Sequence, residues 1–175
     1  MSIDDFFQIP ILFMLIELPH INIIQIFQYF SGTYHKSMSS VKRNLIYLID
    51  NDPDDLEFLV EAFSENSSLP VETFLDALTC LDKLHSINDP SEFPGLIISD
   101  YNMPQMNGLE LLIKIKTNEA LKHLNFIMFS TSNHEEVKKR CFENGGLDYL
   151  IKPINLSDYK IIIKKIDQLF NNSTS

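Results

Sequence analysis

From Asn44 onward, short apolar runs alternate with segments of helical spacing. The runs fall at 45–49, 71–74, 96–98, 126–129 and 149–151, and they predict five strands. Several are apolar at nearly every position, which suits a parallel sheet covered on both faces better than a half-exposed antiparallel one. Between and after them, 53–64, 75–86, 108–118, 133–144 and 156–170 carry apolar residues at helical spacing, predicting five helices. The first helix has a well-marked start. Asp52 is its candidate N-cap, Pro53 sits at the first helical position, and Asp54 and Asp55 place negative charge in the positive first turn. Gly145 and Gly146 are expected to end the fourth helix. Residues 88–95, with two prolines, read as an ordinary loop.

Strict strand–helix alternation implies right-handed crossovers. The predicted fold class is therefore α/β: a doubly wound five-stranded parallel sheet with helices on both faces. In such sheets ligands bind beyond the carboxyl ends of the strands. Strand one runs out into Asp50, Asn51 and Asp52, strand three into Asp100, strand four into Ser130 and Thr131, and strand five into Lys152 and Pro153. Taken singly, each of these reads as a turn former, a helix cap or a solvated charge. Gathered on one edge, carboxylates, hydroxyls and an ammonium make a site. Oxygen ligands there suit Mg²⁺, which is shared between a few carboxylates and a substrate phosphate, while lysine and hydroxyl groups would hold phosphate oxygens.

The first forty residues stand apart. Residues 9–30 are long and apolar enough to suggest a membrane span, yet Glu17, Pro19, His20, Asn22 and Gln25 interrupt them. Asp4 and Asp5 replace the basic start of a secretory signal, and no small-residue cleavage site follows. Three readings stay open: Met38 as the natural start, a membrane anchor, or an extra docking helix. An insertion with this charge pattern would leave the C-terminal domain in the cytoplasm, so the division is an extension at 1–40 and a cytoplasmic domain at 41–172.

Composition narrows the function classes. A chain of 175 residues, 45% hydrophobic, can bury one sizeable core. A net charge of -10 with 14 Lys and Arg argues against nucleic-acid binding, and the longest basic run, Lys138-Lys139-Arg140, reads as a solvated helix face. Cys80 and Cys141 lie far apart without metal-ligand spacing, which points to reduced thiols.

The runs Leu45-Ile46-Tyr47-Leu48-Ile49-Asp50-Asn51-Asp52-Pro53, Asp100-Tyr101-Asn102-Met103-Pro104-Gln105-Met106-Asn107-Gly108, Ser130-Thr131 and Asp148-Tyr149-Leu150-Ile151-Lys152-Pro153 together resemble, in spacing and order over about 130 residues, the CheY-like receiver domain of two-component response regulators. The resemblance implies a flavodoxin-like strand order, 2-1-3-4-5. It also implies that Asp100 is the phosphoacceptor, receiving a phosphoryl group from a phosphohistidine of a sensor histidine kinase or a histidine phosphotransfer protein. Mg²⁺ would be held by Asp100, the side chain of Asn51, the backbone carbonyl of Asn102 and, through water, Asp50. Lys152 would pair with a phosphoryl oxygen and Ser130 would hydrogen-bond another. Tyr149 resembles the aromatic switch that turns inward when that hydroxyl moves, and Asn102 and Ser132 occupy the two positions that modulate loss of the phosphate. Pro104 and Gly108 shape the loop, and the Lys152–Pro153 bond is expected to be cis.

One departure stands out: Asn51 replaces a second acid, leaving two nearby carboxylates where the pattern gives three. An amide oxygen can ligate Mg²⁺ but brings no charge, so weaker metal binding with phosphorylation retained is expected. Asn51 is also the one feature favouring a pseudo-receiver, a binding module that signals without phosphorylation. A phosphatase of the haloacid dehalogenase type would want Asp-x-Asp where Asp100-Tyr101-Asn102 stands, and the glycine-rich loops of nucleotide binders are absent. Only Asn171 to Ser175 follow the last predicted helix, so output is expected through contact with a downstream protein rather than through a DNA-binding or conventional enzymatic domain.

Overall fold

The computed structural model describes residues 44–173. The extension at 1–40, with the proposed anchor at 9–30, lies outside them. Among the described residues no helix is long and apolar enough to cross a membrane.

Five strands form one parallel sheet: β1 (Ile46–Ile49), β2 (Val71–Phe74), β3 (Leu96–Asp100), β4 (Asn125–Ser130) and β5 (Asp148–Ile151). Their order is β2-β1-β3-β4-β5, as the resemblance implied. The helices α1 (Pro53–Asn66), α2 (Ala77–Ser86), α3 (Gly108–Thr117), α4 (Glu135–Glu143) and α5 (Leu156–Ser173) alternate with the strands. A short 3-10 turn, Pro90–Glu92, occupies the loop before β3.

Alternating side chains divide the core in two. Tyr47, Ile49, Ile97, Phe126, Met128 and Tyr149 face one side, where Cys80 and Leu84 of α2, Leu111, Leu112 and Ile115 of α3, and Cys141 of α4 pack. Ile46, Leu48, Leu96, Ile98, Ile127, Phe129 and Leu150 face the other, under Leu59 and Phe63 of α1 and Ile163 and Ile166 of α5. Nearly continuous apolar runs were therefore needed, because both faces of the central strands are dry.

Helix starts follow the caps. Asp52 accepts a hydrogen bond from the Asp54 N–H. Helix α2 begins at Ala77 rather than at 75, because Asp76 turns its carboxylate onto the Thr79 N–H, 2.7 Å away, and fixes the N-cap there. Asn107 and Glu110 form a reciprocal capping box at the start of α3. Gly145, at φ +84°, ends α4, and a side chain on Gly146 would collide with Cys141.

The same burial makes the fold sensitive to alkali. Burial pushes the Cys141 thiol up to about 11, helped by the charge of Asp148. The Cys80 thiol and the Tyr47 hydroxyl are raised by burial too, with Glu72 adding to both. A group whose folded pKa is raised stabilises the fold fully below its ordinary pKa, and that contribution is lost as pH rises. Lys116, pulled down by burial, works the other way. For Cys141, folding free energy should fall by about 2–3 kcal/mol between roughly pH 9 and 11. Urea denaturation across that range should show a shallower decline in Cys141→Ala than in the wild type; equal slopes would contradict it.

Candidate phosphoacceptor site

Parallel strands β1 and β3 end side by side, with Ile49 in register with Ser99, so the next residues of both chains reach the same edge. These are Asp50 and Asp100, both buried, with 2% and 4% of their surface exposed. Two carboxylates in so dry a place need a cation. Lys152 supplies it from the end of β5, where its backbone N–H donates to the Ser130 carbonyl and ties β5 to β4. Its Nζ donates to Asp50 Oδ2 at 2.5 Å and to Asp55 Oδ2 at 2.7 Å, and stands 3.0 Å from Asp100 Oδ1.

The contact to Asp100 is an ion pair by distance but not a hydrogen bond by direction, so Asp100 Oδ1 is a buried oxygen without a hydrogen-bond donor. The other oxygen, Oδ2, accepts from the Asn102 N–H at 2.6 Å. Asp50 Oδ1 accepts from the Asp52 N–H at 3.1 Å. Burial opposes a charged Lys152, yet its hydrogen bonds to Asp50 and Asp55 and the negative charge of Asp100 outweigh it and hold the lysine above its ordinary pKa. Burial likewise pushes the Asp50 carboxyl up, against the pull of Lys152. The ammonium is thus the fixed charge around which the acids arrange.

The remaining expected residues fall into two groups. Ser130 is fully buried at the end of β4, and its Oγ accepts from the Ser132 N–H at 3.3 Å. Tyr149 is turned inward, 6% exposed, and its hydroxyl donates to the Ser132 carbonyl at 2.7 Å, linking β5 to the β4–α4 loop. Asn51 and Asn102 are exposed at the rim, while Ser132 is half-buried. Asp52 is occupied as the cap of α1. Asp55 was legible only as a first-turn acid. Its second role, pairing with Lys152, follows from its place at the third position of a helix that starts directly after β1, which directs it back over the strand end.

The loop after β3 is tight. Gln105 has φ +66°, the only positive φ outside glycine among the described residues, a conformation costing an L-residue about 1–2 kcal/mol. The Gly108 N–H donates to the Tyr101 carbonyl, and a Cβ on Gly108 would lie 2.3 Å from the Asp100 carbonyl oxygen and 2.8 Å from Met128 Sδ. Glycine is thus required where α3 meets the end of β3. The Lys152–Pro153 bond corrects an expectation: among the described residues every peptide bond is trans, this one included. Trans is the lower-energy form for X–Pro by about 0.5–1 kcal/mol, and Lys152 reaches its partners without the turn a cis bond would make.

The family model of the response regulator receiver domain matches residues 46–164. The chain belongs to the response regulator receiver family. Curated relatives agree: the two-component response regulator ORR13 of Oryza sativa subsp. japonica is 38% identical over 96 residues, 55% of this chain and 74% of that protein. ARR5 of Arabidopsis thaliana is 31% identical over 147 residues, covering 78% and 79%. Among solved structures, the phosphorylated cyanobacterial phytochrome response regulator RcpA is similar at 27% identity and TM-score 0.66, covering 75% of this chain and 96% of its own. The Mn²⁺-bound form of Rcp1 matches at 26% identity and TM-score 0.62, covering 71% and 91%.

Two substitutions test this geometry. Gly108→Ala should destabilise the receiver by about 1–3 kcal/mol in urea denaturation, since the added methyl meets backbone. Lys152→Met should cost about 3–5 kcal/mol near pH 7, because it strands buried charge. That deficit should narrow as pH falls. Without the ammonium the Asp50 carboxyl rises further, and a raised carboxyl adds stability at low pH that is lost as pH rises. A deficit independent of pH would contradict this account.

Proposed function

We propose that this receiver takes a phosphoryl group from a phosphohistidine, on a sensor histidine kinase or a histidine phosphotransfer protein, onto Asp100, and signals through a surface that differs between the two states. The observation that carries the reading is Asp100 itself: a buried carboxylate at the end of β3 with one oxygen fixed by the Asn102 N–H and the other free of any donor. A carboxylate so held can act as a nucleophile. An Asp100 oxygen forms the new P–O bond as the P–N bond to the donor imidazole breaks, and the electron pair of that bond returns to the imidazole nitrogen.

The donor set suits Mg²⁺, because it offers hard oxygen ligands and a buried oxygen in want of a partner. Asp100, the Asn51 side chain and the Asn102 carbonyl would hold it directly and Asp50 through water. When bound, it would offset charge on the transferring phosphoryl group. Among the described residues no group of three His, Cys, Asp or Glu side chains is placed to hold a metal ion. Three carboxylates do converge, but on the Lys152 ammonium. Lys152 and Ser130 stand ready for phosphoryl oxygens, with Asn102 and Ser132 beside them to set how readily water removes the group.

The signal would pass through Ser130 and Tyr149 to the surface of α4, β5 and α5, where Phe142, Ile151 and Ile161 expose apolar surface to a downstream protein. Phosphorylation switches that contact only if it favours one of two arrangements. The reading places the receiver in the cytoplasm and makes it a phosphoprotein, not a multiple-turnover enzyme. Incubation with Mg²⁺ and acetyl phosphate should add one phosphoryl group by intact mass to the wild type and none to Asp100→Asn. A folded wild type that takes no adduct, from acetyl phosphate or from a kinase, would instead make it a pseudo-receiver.

A further inference from the structure

We infer that Asp55 is a positioning residue for this site: it clamps Lys152 to α1 and so keeps the ammonium from closing a hydrogen bond onto Asp100. The inference rests on the reading of Asp100 as phosphoacceptor and goes beyond it, because the receiver pattern assigns nothing to position 55.

The geometry is asymmetric. Lys152 Nζ has three protons and three carboxylates within reach. Two of them, Asp50 at 2.5 Å and Asp55 at 2.7 Å, receive hydrogen bonds. The third, Asp100 Oδ1, is only 3.0 Å away, an ion-pair distance, yet the pair lacks the direction of a hydrogen bond. Asp50 stays buried at 2% exposure, and Asp55 at 29% is the one acid of the three that lies toward solvent, on a different element. It draws the ammonium outward, toward the first turn of α1.

The consequence concerns the metal. An ammonium bonded to Asp100 Oδ1 would occupy the oxygen that a divalent cation needs, and would repel that cation besides. Holding Lys152 aside keeps Oδ1 available. Because Asn51 brings no charge, this receiver has less attraction for a cation in reserve, so the position of Lys152 weighs more heavily than it would beside three ligating acids. When a phosphoryl group adds to Asp100, its oxygens offer Lys152 a stronger acceptor than Asp55, and the clamp can be exchanged.

The test is a double-mutant cycle read by calorimetric titration of Mg²⁺ alone into the full chain, with circular dichroism confirming that each variant is folded. Asp55→Asn should weaken Mg²⁺ binding about three- to tenfold, because a neutral amide holds Lys152 less firmly than a carboxylate and lets it bond Asp100. Asp55→Glu should stay within about twofold of the wild type, since it can still accept from Lys152. In a Lys152→Met background, Asp55→Asn should change the affinity by less than about twofold, because the group it acts through is gone. Should Asp55→Asn fail to fold, Asp55→Ser is read the same way. Unchanged affinity in folded Asp55→Asn would overturn the clamp, and so would an equal loss in both backgrounds, which would mean that Asp55 acts on the cation directly. These outcomes are separate from the mass experiment on Asp100, whose failure would remove the phosphoacceptor while leaving the Mg²⁺ cycle measurable.

Discussion

Everything at the carboxyl edge depends on one ammonium group among buried carboxylates. Asp50 and Asp100 are brought together by the register of β1 and β3, and two carboxylates buried so closely call for a cation beside them. Lys152 comes from β5, two strands away from β3 across the sheet, so the charge balance of the site holds only when β1, β3, β4 and β5 are all in place. The site is therefore a product of the whole sheet, and its ion pairs serve geometry more than stability, since buried ion pairs seldom add net stability.

The two-sided core makes that precision possible. Odd-numbered side chains of β1, such as Tyr47 and Ile49, lie under α2 and α3, while Ile46 and Leu48 lie under α1 and α5. A slip of one residue in β1 would exchange the two sets and carry Asp50 away from Lys152. Close packing at the strand ends adds to this constraint. Gly108 lets α3 start against the Asp100 carbonyl, and Gln105 accepts a left-handed backbone so that the intervening loop can close.

The Asn at position 51 gives this receiver an electrostatic character of its own. Its three convergent acids, Asp50, Asp55 and Asp100, are gathered about a lysine. Asp55 enters that set from the helix rather than from a strand end, so α1 reaches the carboxyl edge as well as the core. Tyr149 and Ser130 form the other arm: both meet the backbone of Ser132, so the Ser130 hydroxyl and the buried Tyr149 side chain are joined through a single residue.

The sequence by itself determined the alternation of strands and helices, the burial of both sheet faces, the caps at Asp52 and Gly145, and the gathering of Asp50, Asp100, Ser130 and Lys152 on one edge. These follow from local spacing and from the direction of parallel strands, both of which are written along the chain. The start of α2 at Ala77 is local too, set by Asp76 capping Thr79 three residues on, whereas the left-handed Gln105 and the closeness of Lys152 to Asp50 and Asp100 were decided by a loop closure and by strands about 50 and 100 residues apart in the chain. The pairing of Asp55 with Lys152 belongs to the same class. Its two ends are joined by the tertiary structure alone, because a salt bridge across a sheet leaves no periodic trace in the sequence, and an acid in the first turn of a helix already has a sufficient local reason to be there.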